Sequence, residues 1–344
     1  MASQTAVRQR VLVNGIYTAQ QMSGQQRYAA GIVDLLDPSR IRLLAPARSR
    51  VDASWRRHLW TNTRYLSERG MASLFLTHQF PWYRSRAQVE IITVHDLFPI
   101  TNPEWYSRAY GSYAGQLLRR GIARADILLT VSDVTADLIR AQFAPRASIH
   151  VVPSAPQSIF FEPRQDHDAE VLSRYGVTAG HYLAALASSD PRKRLDLIIE
   201  AHALSAHHDV PLVVAGSAPA IVARTKPAGA VGANTLVTGW ISDGDLAVLY
   251  RNAGAFIAAS DAEGFGLPIV EAATAGAPVI ASNLPVHQWT LGEYAHYFEA
   301  GSAGSLASAI DAVLAGSPTV GFDRRFSFPA SAAKVERVLD EVWS

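Results

Sequence analysis

The 344-residue chain contains no cysteine. Disulfides, zinc–thiolate centres and cysteine nucleophiles are thereby excluded. It also lacks any run of about 18 apolar residues free of charge, so no membrane-spanning helix is expected. The opening residues, MASQTAVRQRVLVNG, include basic side chains but pass straight into a strand-like run, which makes a poor signal peptide. A cytoplasmic location is the expectation, although missing cysteine is only weak support for it. Charged residues make up just 18% of the chain and apolar ones 49%, the balance of a globular protein long enough for two domains with their own cores.

Lysine is absent from residues 1–163, where 19 arginines face 11 carboxylates for a net charge of +8. The remainder holds 12 basic against 19 acidic residues, a net of −7. This asymmetry suggests an anionic partner for the first half. Its arginines cluster with aromatics in Trp55-Arg56-Arg57-His58-Leu59-Trp60 and Trp82-Tyr83-Arg84-Ser85-Arg86, and with leucines in Leu117-Leu118-Arg119-Arg120. No RNA- or DNA-binding motif accompanies them, so nucleic acid is not the expected partner. Trp and Arg together suit an anionic lipid surface, with solvated surface arginines as the plainer alternative.

What the chain does have is an organising stretch from Ala253 to Asn283, AGAFIAASDAEGFGLPIVEAATAGAPVIASN. Ala255 to Ala259 reads as a buried parallel strand. A loop with Gly264 and Gly266 follows, then a helix with Pro268 at its first position and Gly276 as its stop. Pro278 to Ala281 begins the next strand. This is a right-handed crossover with a ligand loop at the carboxyl end of its first strand. Glu263 lies in the loop. Glu271, eight residues on, is expected inside the first helical turn, where a carboxylate also serves as plain dipole compensation.

Glu263-Gly264-Phe265-Gly266-Leu267-Pro268 followed by Glu271 resembles the Glu-x7-Glu signature of retaining glycosyltransferases of family 4, which have the two-domain GT-B fold. Three further segments share the resemblance. The first is the glycine turn Ser23-Gly24-Gln25-Gln26-Arg27 after the first strand, Arg10 to Asn14, with a helix expected from Ala29 to Leu36. That turn lacks the three glycines of a dinucleotide fingerprint, and a nicotinamide-dependent oxidoreductase is rejected. The second is His95-Asp96-Leu97-Phe98-Pro99 at the end of the strand Glu90 to Val94; the resemblance implies that His95 faces the donor sugar. The third is Asp190-Pro191-Arg192-Lys193 after the strand Tyr182 to Ala187, where Arg192 and Lys193 carry over as the diphosphate-binding pair.

Two departures stand out. Pro153-Ser154-Ala155 replaces the usual Pro-Asn-Gly, and Ala187 stands where some relatives have a further Arg. Asp243-Gly244-Asp245 matches the metal motif of the other glycosyltransferase fold only superficially. It reads as the first turn of the helix Leu246 to Asn252, and no metal site is expected.

The expected architecture is α/β: GT-B, two doubly wound Rossmann-like domains facing across a cleft. Residues 1–157 form the acceptor-side domain, residues 158–329 the nucleotide-sugar domain, and a helix over 330–344 packs back on the first. Pro153 to Glu170 is expected to be the linker. The resemblance implies transfer of a hexose, mannose from GDP-mannose first, to a saccharide or lipid-linked saccharide, with retention and without metal or cofactor. It assigns Glu271 to the ribose, Glu263 and the backbone of Gly264, Phe265 and Gly266 to the sugar, and the helix start at Leu267 to the phosphates. The base lies against Trp240 and Ile241, and Gly24 lines the donor site. His95, Glu263, Arg192 and Lys193 form the catalytic set. The alternatives are a sugar-nucleotide epimerase of the same fold, a transferase using dTDP- or GDP-rhamnose or a UDP-sugar on a small-molecule acceptor, and a non-catalytic binding module. The arginine-rich half is expected to lie peripherally on the inner face of the cytoplasmic membrane.

Overall fold

In the computed structural model, residues 10–20, 22–47, 54–186, 190–216, 234–316 and 325–343 are described. The expectations for Met1–Gln9, for Ala187 and for the side chain of Trp55 lie outside them. Contacts divide the chain into two units, Met1–Ala155 with Phe326–Ser344, and Pro156–Arg325.

The first unit runs β1 (Val11–Asn14), α1 (Gly24–Val33), β2 (Ile41–Leu44), α2 (Ser54–Ser67), β3 (Ala72–Phe75), β4 (Val89–Val94), α3 (Phe98–Thr101), α4 (Arg108–Arg124), β5 (Ile127–Thr130), α5 (Asp133–Phe143) and β6 (Ser148–Val151). Its parallel strands are ordered β2-β1-β3-β4-β5-β6. β1, β3 and β5 are buried at every residue, as their unbroken apolar runs require in a sheet covered on both faces. Helix α1 starts at Gly24, well before the expected Ala29, because Ser23 in extended backbone can end the loop there. Ser132 caps α5 by accepting from the Thr135 N–H at 3.2 Å. Helix α2 has no counterpart in the sequence expectations.

The second unit runs α6 (Asp168–Arg174), β7 (Leu183–Leu186), α7 (Leu195–Leu204), β8 (Leu212–Ala215), β9 (Thr235–Val237), α8 (Asp243–Arg251), β10 (Ala255–Ala258), α9 (Leu267–Ala275), β11 (Val279–Ser282), α10 (Pro285–Leu291), β12 (His296–Phe298) and α11 (Ala303–Leu314). The order β12-β11-β10-β7-β8-β9 is again all parallel but differs from the first unit's, since the chain lays down β7, β8 and β9 on one side before crossing back to β10, whereas the first unit crosses back after β2. α12 (Phe328–Trp343) then belongs to the first unit. Ser331 donates to the Pro153 carbonyl at 2.8 Å, Lys334 to that of Val151 at 3.0 Å, and Arg40 bonds Glu336 and Asp340 at 2.7 Å each. Gly31 lets this helix approach: a Cβ there would meet the Phe328 ring at 2.6 Å.

The supposed linker is structured. Ser158–Phe161 forms a 3-10 turn, and α6 begins at Asp168 because that carboxylate is an anchor rather than a surface charge. Buried Asp168 takes two 2.8 Å bonds from Arg251 and one of 2.9 Å from Asn252. Burial raises its pKa, but these donors outweigh burial and hold it below the usual carboxylate range.

Part of the arginine clusters is tied into the fold. Arg124 pairs with fully buried Glu90 at 2.7 Å and donates to the carbonyls of Trp82 and Pro81. Arg84 is tied to Asp126 and to the Arg124 carbonyl, and Arg120 lies 4.4 Å over the Trp82 ring. Trp60 and Trp82 pack against the core. The aromatic members of these clusters therefore weigh less for a lipid surface than their sequence suggests, while Arg69, Arg86, Arg119 and Arg120 are exposed.

Asp168→Ala should strand Arg251 as an uncompensated buried charge and cost about 3–5 kcal/mol in chemical denaturation. In the parent chain, the depressed pKa means this contribution is present above the ordinary carboxylate range. It is lost as pH falls through the lowered pKa. The variant should therefore lose less stability than the parent on acidification.

Candidate active site

In a doubly wound sheet, the chain must cross from one side of its first strand to the other, and a crevice opens at the strand ends on either side of that crossing. In the second unit the crossing lies between β7 and β10. The loop after β7 carries Arg192 and Lys193, and the loop after β10 carries Glu263. The fold thus brings together, from 70 residues apart, two of the residues singled out by sequence.

Lys193 Nζ donates to Glu263 Oε1, and the Ser260 hydroxyl donates to the same oxygen at 2.7 Å. The Glu263 side chain is only 12% exposed. Burial raises its pKa, yet the Lys193 ammonium and the neighbouring His287 more than offset this, and the carboxyl sits below its usual range. His287 is buried, and its Nδ1 is 2.9 Å from the Ser282 carbonyl, so Nδ1 carries the proton of the neutral ring. Burial lowers its pKa against the pull of Glu263. Sequence reasoning missed His287; its position one turn into α10, beyond β11, was the available signal. Lys193, Ser260, Glu263, Gly266 and His287 line a cavity of about 20 Å³, room for roughly one water.

Arg192 is held by Asp190, with its Nε 2.9 and 2.8 Å from the two carboxylate oxygens. Asp190 also caps this turn by accepting from the Arg192 N–H at 3.1 Å. Arg194 adopts φ 46°, an unusual backbone for a residue with a side chain. Its guanidinium pairs with Asp196 and Asp261, and the Asp261 N–H donates to the Arg192 carbonyl at 2.9 Å. The two loops are therefore fastened to each other by charge and by backbone.

Gly266 precedes α9 at φ 83°, where a Cβ would lie 3.2 Å from both His287 and Ile269. Only glycine suits that position. Pro268 takes the second helical position rather than the first. Glu271 is the fifth residue of α9, on its second turn, and is 6% exposed. The expectation of a first-turn, dipole-compensating carboxylate is corrected accordingly; a buried charge one turn further in needs a polar partner. Trp240 is 81% exposed beyond Gly239, with Ile241 half-buried after it. Asp245 is taken by Arg174 at 3.1 Å and by the Tyr175 hydroxyl at 2.8 Å, and Ser242 caps α8.

The corresponding crossing in the first unit lies between β1 and β3. Here the buried polar groups are two imidazoles with amide and backbone partners, beside the Asp96 carboxylate. The His95 N–H donates to His78 Nε2 at 2.9 Å, and His95 Nε2 is 2.8 Å from the Leu76 carbonyl. The His78 N–H donates to Gln25 Oε1 at 3.2 Å, and Asn14 donates to the Gln79 carbonyl. Burial pushes the pKa of His78 down to about 4 and that of His95 to about 3. Burial therefore favours the uncharged form of both rings near neutral pH. Gly24 is exposed at the start of α1. His78 escaped the sequence reading, though it follows β3 much as His95 follows β4.

Residues 180–326 match the family described as glycosyl transferases group 1, and the second unit carries this domain. The chain is 28% identical over 210 residues to O-antigen chain mannosyltransferase B of Escherichia coli, covering 58% of this chain and 54% of that protein. It is 29% identical over 263 residues to the serotype-specific mannosyltransferase WbdA of Escherichia coli, covering 70% and 31%. It thus spans about half the length of the first relative and under a third of the second. Sucrose-phosphate synthase from Thermosynechococcus elongatus superposes with a TM-score of 0.73 at 17% identity, over 98% of this chain and 99% of that one. The fold is GT-B.

Lys193→Ala should leave burial of Glu263 opposed only by weaker partners and raise its pKa. Carboxyl NMR titration should place the Glu263 midpoint higher in the variant than in the parent. An unmoved midpoint would show that Lys193 does not control its ionisation.

Proposed function

We propose that the chain transfers a hexose from a nucleotide sugar to a glycan hydroxyl with retention at the anomeric carbon, and that the donor is GDP-mannose. The observation that carries this reading is the Lys193–Glu263 pair at the crossing of the group 1 domain. A ligand that parts the two must offer an anion to the ammonium and hydroxyls to the carboxylate. A sugar diphosphate does both in one molecule, with the sugar on the Glu263 side.

In this reading the diphosphate is taken by Lys193, by Arg192 and by the start of α9 near Leu267, which stabilise the charge that develops as it departs. The N–H groups of Gly264, Phe265 and Gly266 and the carboxylate of Glu263 hold the sugar. Glu271 takes the ribose hydroxyls, and exposed Trp240 with Ile241 takes the base. Two cations at the phosphates make a metal dispensable. The mannose assignment is supported by the mannosyltransferases among the relatives and by the sequence motifs. A lipid-linked saccharide is the proposed acceptor, reached through the exposed arginines of the first unit on an anionic membrane surface.

Incubation with labelled GDP-mannose and, separately, UDP-glucose should give transfer or slow hydrolysis of the former alone, undiminished by EDTA, with the α-anomer as product. Turnover of the UDP-sugar alone would overturn the donor assignment. An epimerised nucleotide sugar, or none consumed, would overturn the transferase. Glu271→Ala should weaken GDP-mannose binding by roughly 1.5–3 kcal/mol, the worth of a hydrogen bond to a charged group. Unchanged affinity in a folded variant would remove Glu271 from the site.

A further inference from the structure

Behind the ion pair of the second unit, two acceptors are left over. Lys193 Nζ and the Ser260 hydroxyl both donate to Oε1 of Glu263, and Oε2 has no donor among the described residues. The Ser282 carbonyl can only accept, so Nδ1 of neutral His287 carries the ring proton and Nε2 keeps its lone pair. Nε2 likewise has no donor among the described residues. That edge of the ring faces the glycine loop: Cδ2, the carbon bonded to Nε2, is the atom that a Cβ on Gly266 would meet at 3.2 Å. Gly266, Glu263 and His287 line the same cavity of about 20 Å³. Two acceptors cannot bond each other, and leaving both unmet in a buried site is costly. The cavity admits one water, which has two protons to give.

We propose that this cavity is the site of one bound water that donates to Glu263 Oε2 and to His287 Nε2, and that through it His287 is a positioning residue for the sugar-holding carboxylate. The water's oxygen accepts from Lys193, which also lines the cavity and has protons beyond the one given to Oε1. The inference deepens the sugar-transfer reading and rests on it for the ligand. In that reading the diphosphate draws the Lys193 ammonium away from Glu263. The carboxylate then loses its strongest partner and is free to turn about its last torsion. A water fixed at the far oxygen holds the plane of the group, and Oε1 stays turned to the sugar hydroxyl. His287 suits this task because it is itself held: its Nδ1–H is tied to the Ser282 carbonyl at 2.9 Å, and its own carbonyl accepts from the Thr290 and Tyr297 hydroxyls at 3.1 Å each. The bridge is neutral, so it adds no charge that competes with Lys193 for the diphosphate.

The test begins with the parent chain free of ligand. Its crystal structure should show a water within about 3.2 Å of both Glu263 Oε2 and His287 Nε2. A long-range ¹H–¹⁵N correlation spectrum should show His287 protonated at Nδ1 alone. An empty cavity, or a proton at Nε2, would overturn the proposal, and neither readout needs a variant to fold. Calorimetric titration then compares GDP-mannose with GDP, which lacks the sugar. His287→Phe removes the acceptor for the water, and the preference for GDP-mannose over GDP should fall about tenfold, the scale of one lost hydrogen bond to a charged group. Carboxyl NMR should place the Glu263 midpoint higher in this variant than in the parent. His287→Gln cannot carry charge but keeps an acceptor, and it should restore part of both losses. An unchanged preference in folded His287→Phe, or a Gln variant as impaired as the Phe variant, would overturn the positioning role. Should the parent bind GDP-mannose no better than GDP while the water, the tautomer and the Gln-rescued midpoint appear as expected, the donor reading fails and the water-held carboxylate stands.

Discussion

Strands covered on both faces leave no side of the sheet for polar chemistry, and this constraint governs the rest of the molecule. β1, β3, β5, β8 and β11 are buried along their whole length. Polar groups can gather only where the strands end. Parallel strands also force every connection to cross back over the sheet, so the loops leaving β7 and β10 emerge side by side although their residues are far apart in sequence. Lys193 and Glu263 meet for that reason.

The two units put opposite electrostatics at the crossing point of a parallel sheet. The crossing of the second holds a buried ion pair with further charges behind it, and against the effect of burial the Lys193 ammonium holds the Glu263 carboxyl below its usual range. That of the first holds two buried imidazoles whose uncharged form is favoured by the same loss of solvent. Burial acts alike in both places; the difference is how far a neighbouring charge offsets it.

Most strands, the glycine loop and the Arg192–Lys193 turn could be read from sequence because they rest on local signals: apolar runs, glycine where φ turns positive, cations after a strand; β12, the short edge strand His296–Phe298 with a histidine and a tyrosine in it, carries no such run. Helix α2 could not be read in that way. Its arginines and tryptophans looked like a membrane-facing surface, whereas Trp60 packs inward against a core supplied by distant elements. Asp168 looked like linker polarity because Arg251, which makes it an anchor, lies 83 residues later. The sequence placed Glu263 and Lys193 in the same site through family resemblance, but not in contact with each other. His78 and His287 were missed because a lone histidine carries no spacing signal, and their meaning depends on the neighbour that fixes each tautomer.

The return of α12 gives the first unit a history as well as a shape. Its hydrogen bonds to Pro153 and Val151, and the contact of Phe328 with Gly31, join segments separated by the whole of Pro156–Arg325. During synthesis the ribosome must finish the second unit before the first can close. Until then the Gly31 face of α1 is an apolar surface without its cover, and the second unit, which is one continuous segment, has no such wait. Closure costs little extra for so long a loop, because the entropy of joining its ends grows only logarithmically with length. The delay is one of timing, and it makes the half synthesised first the one completed last.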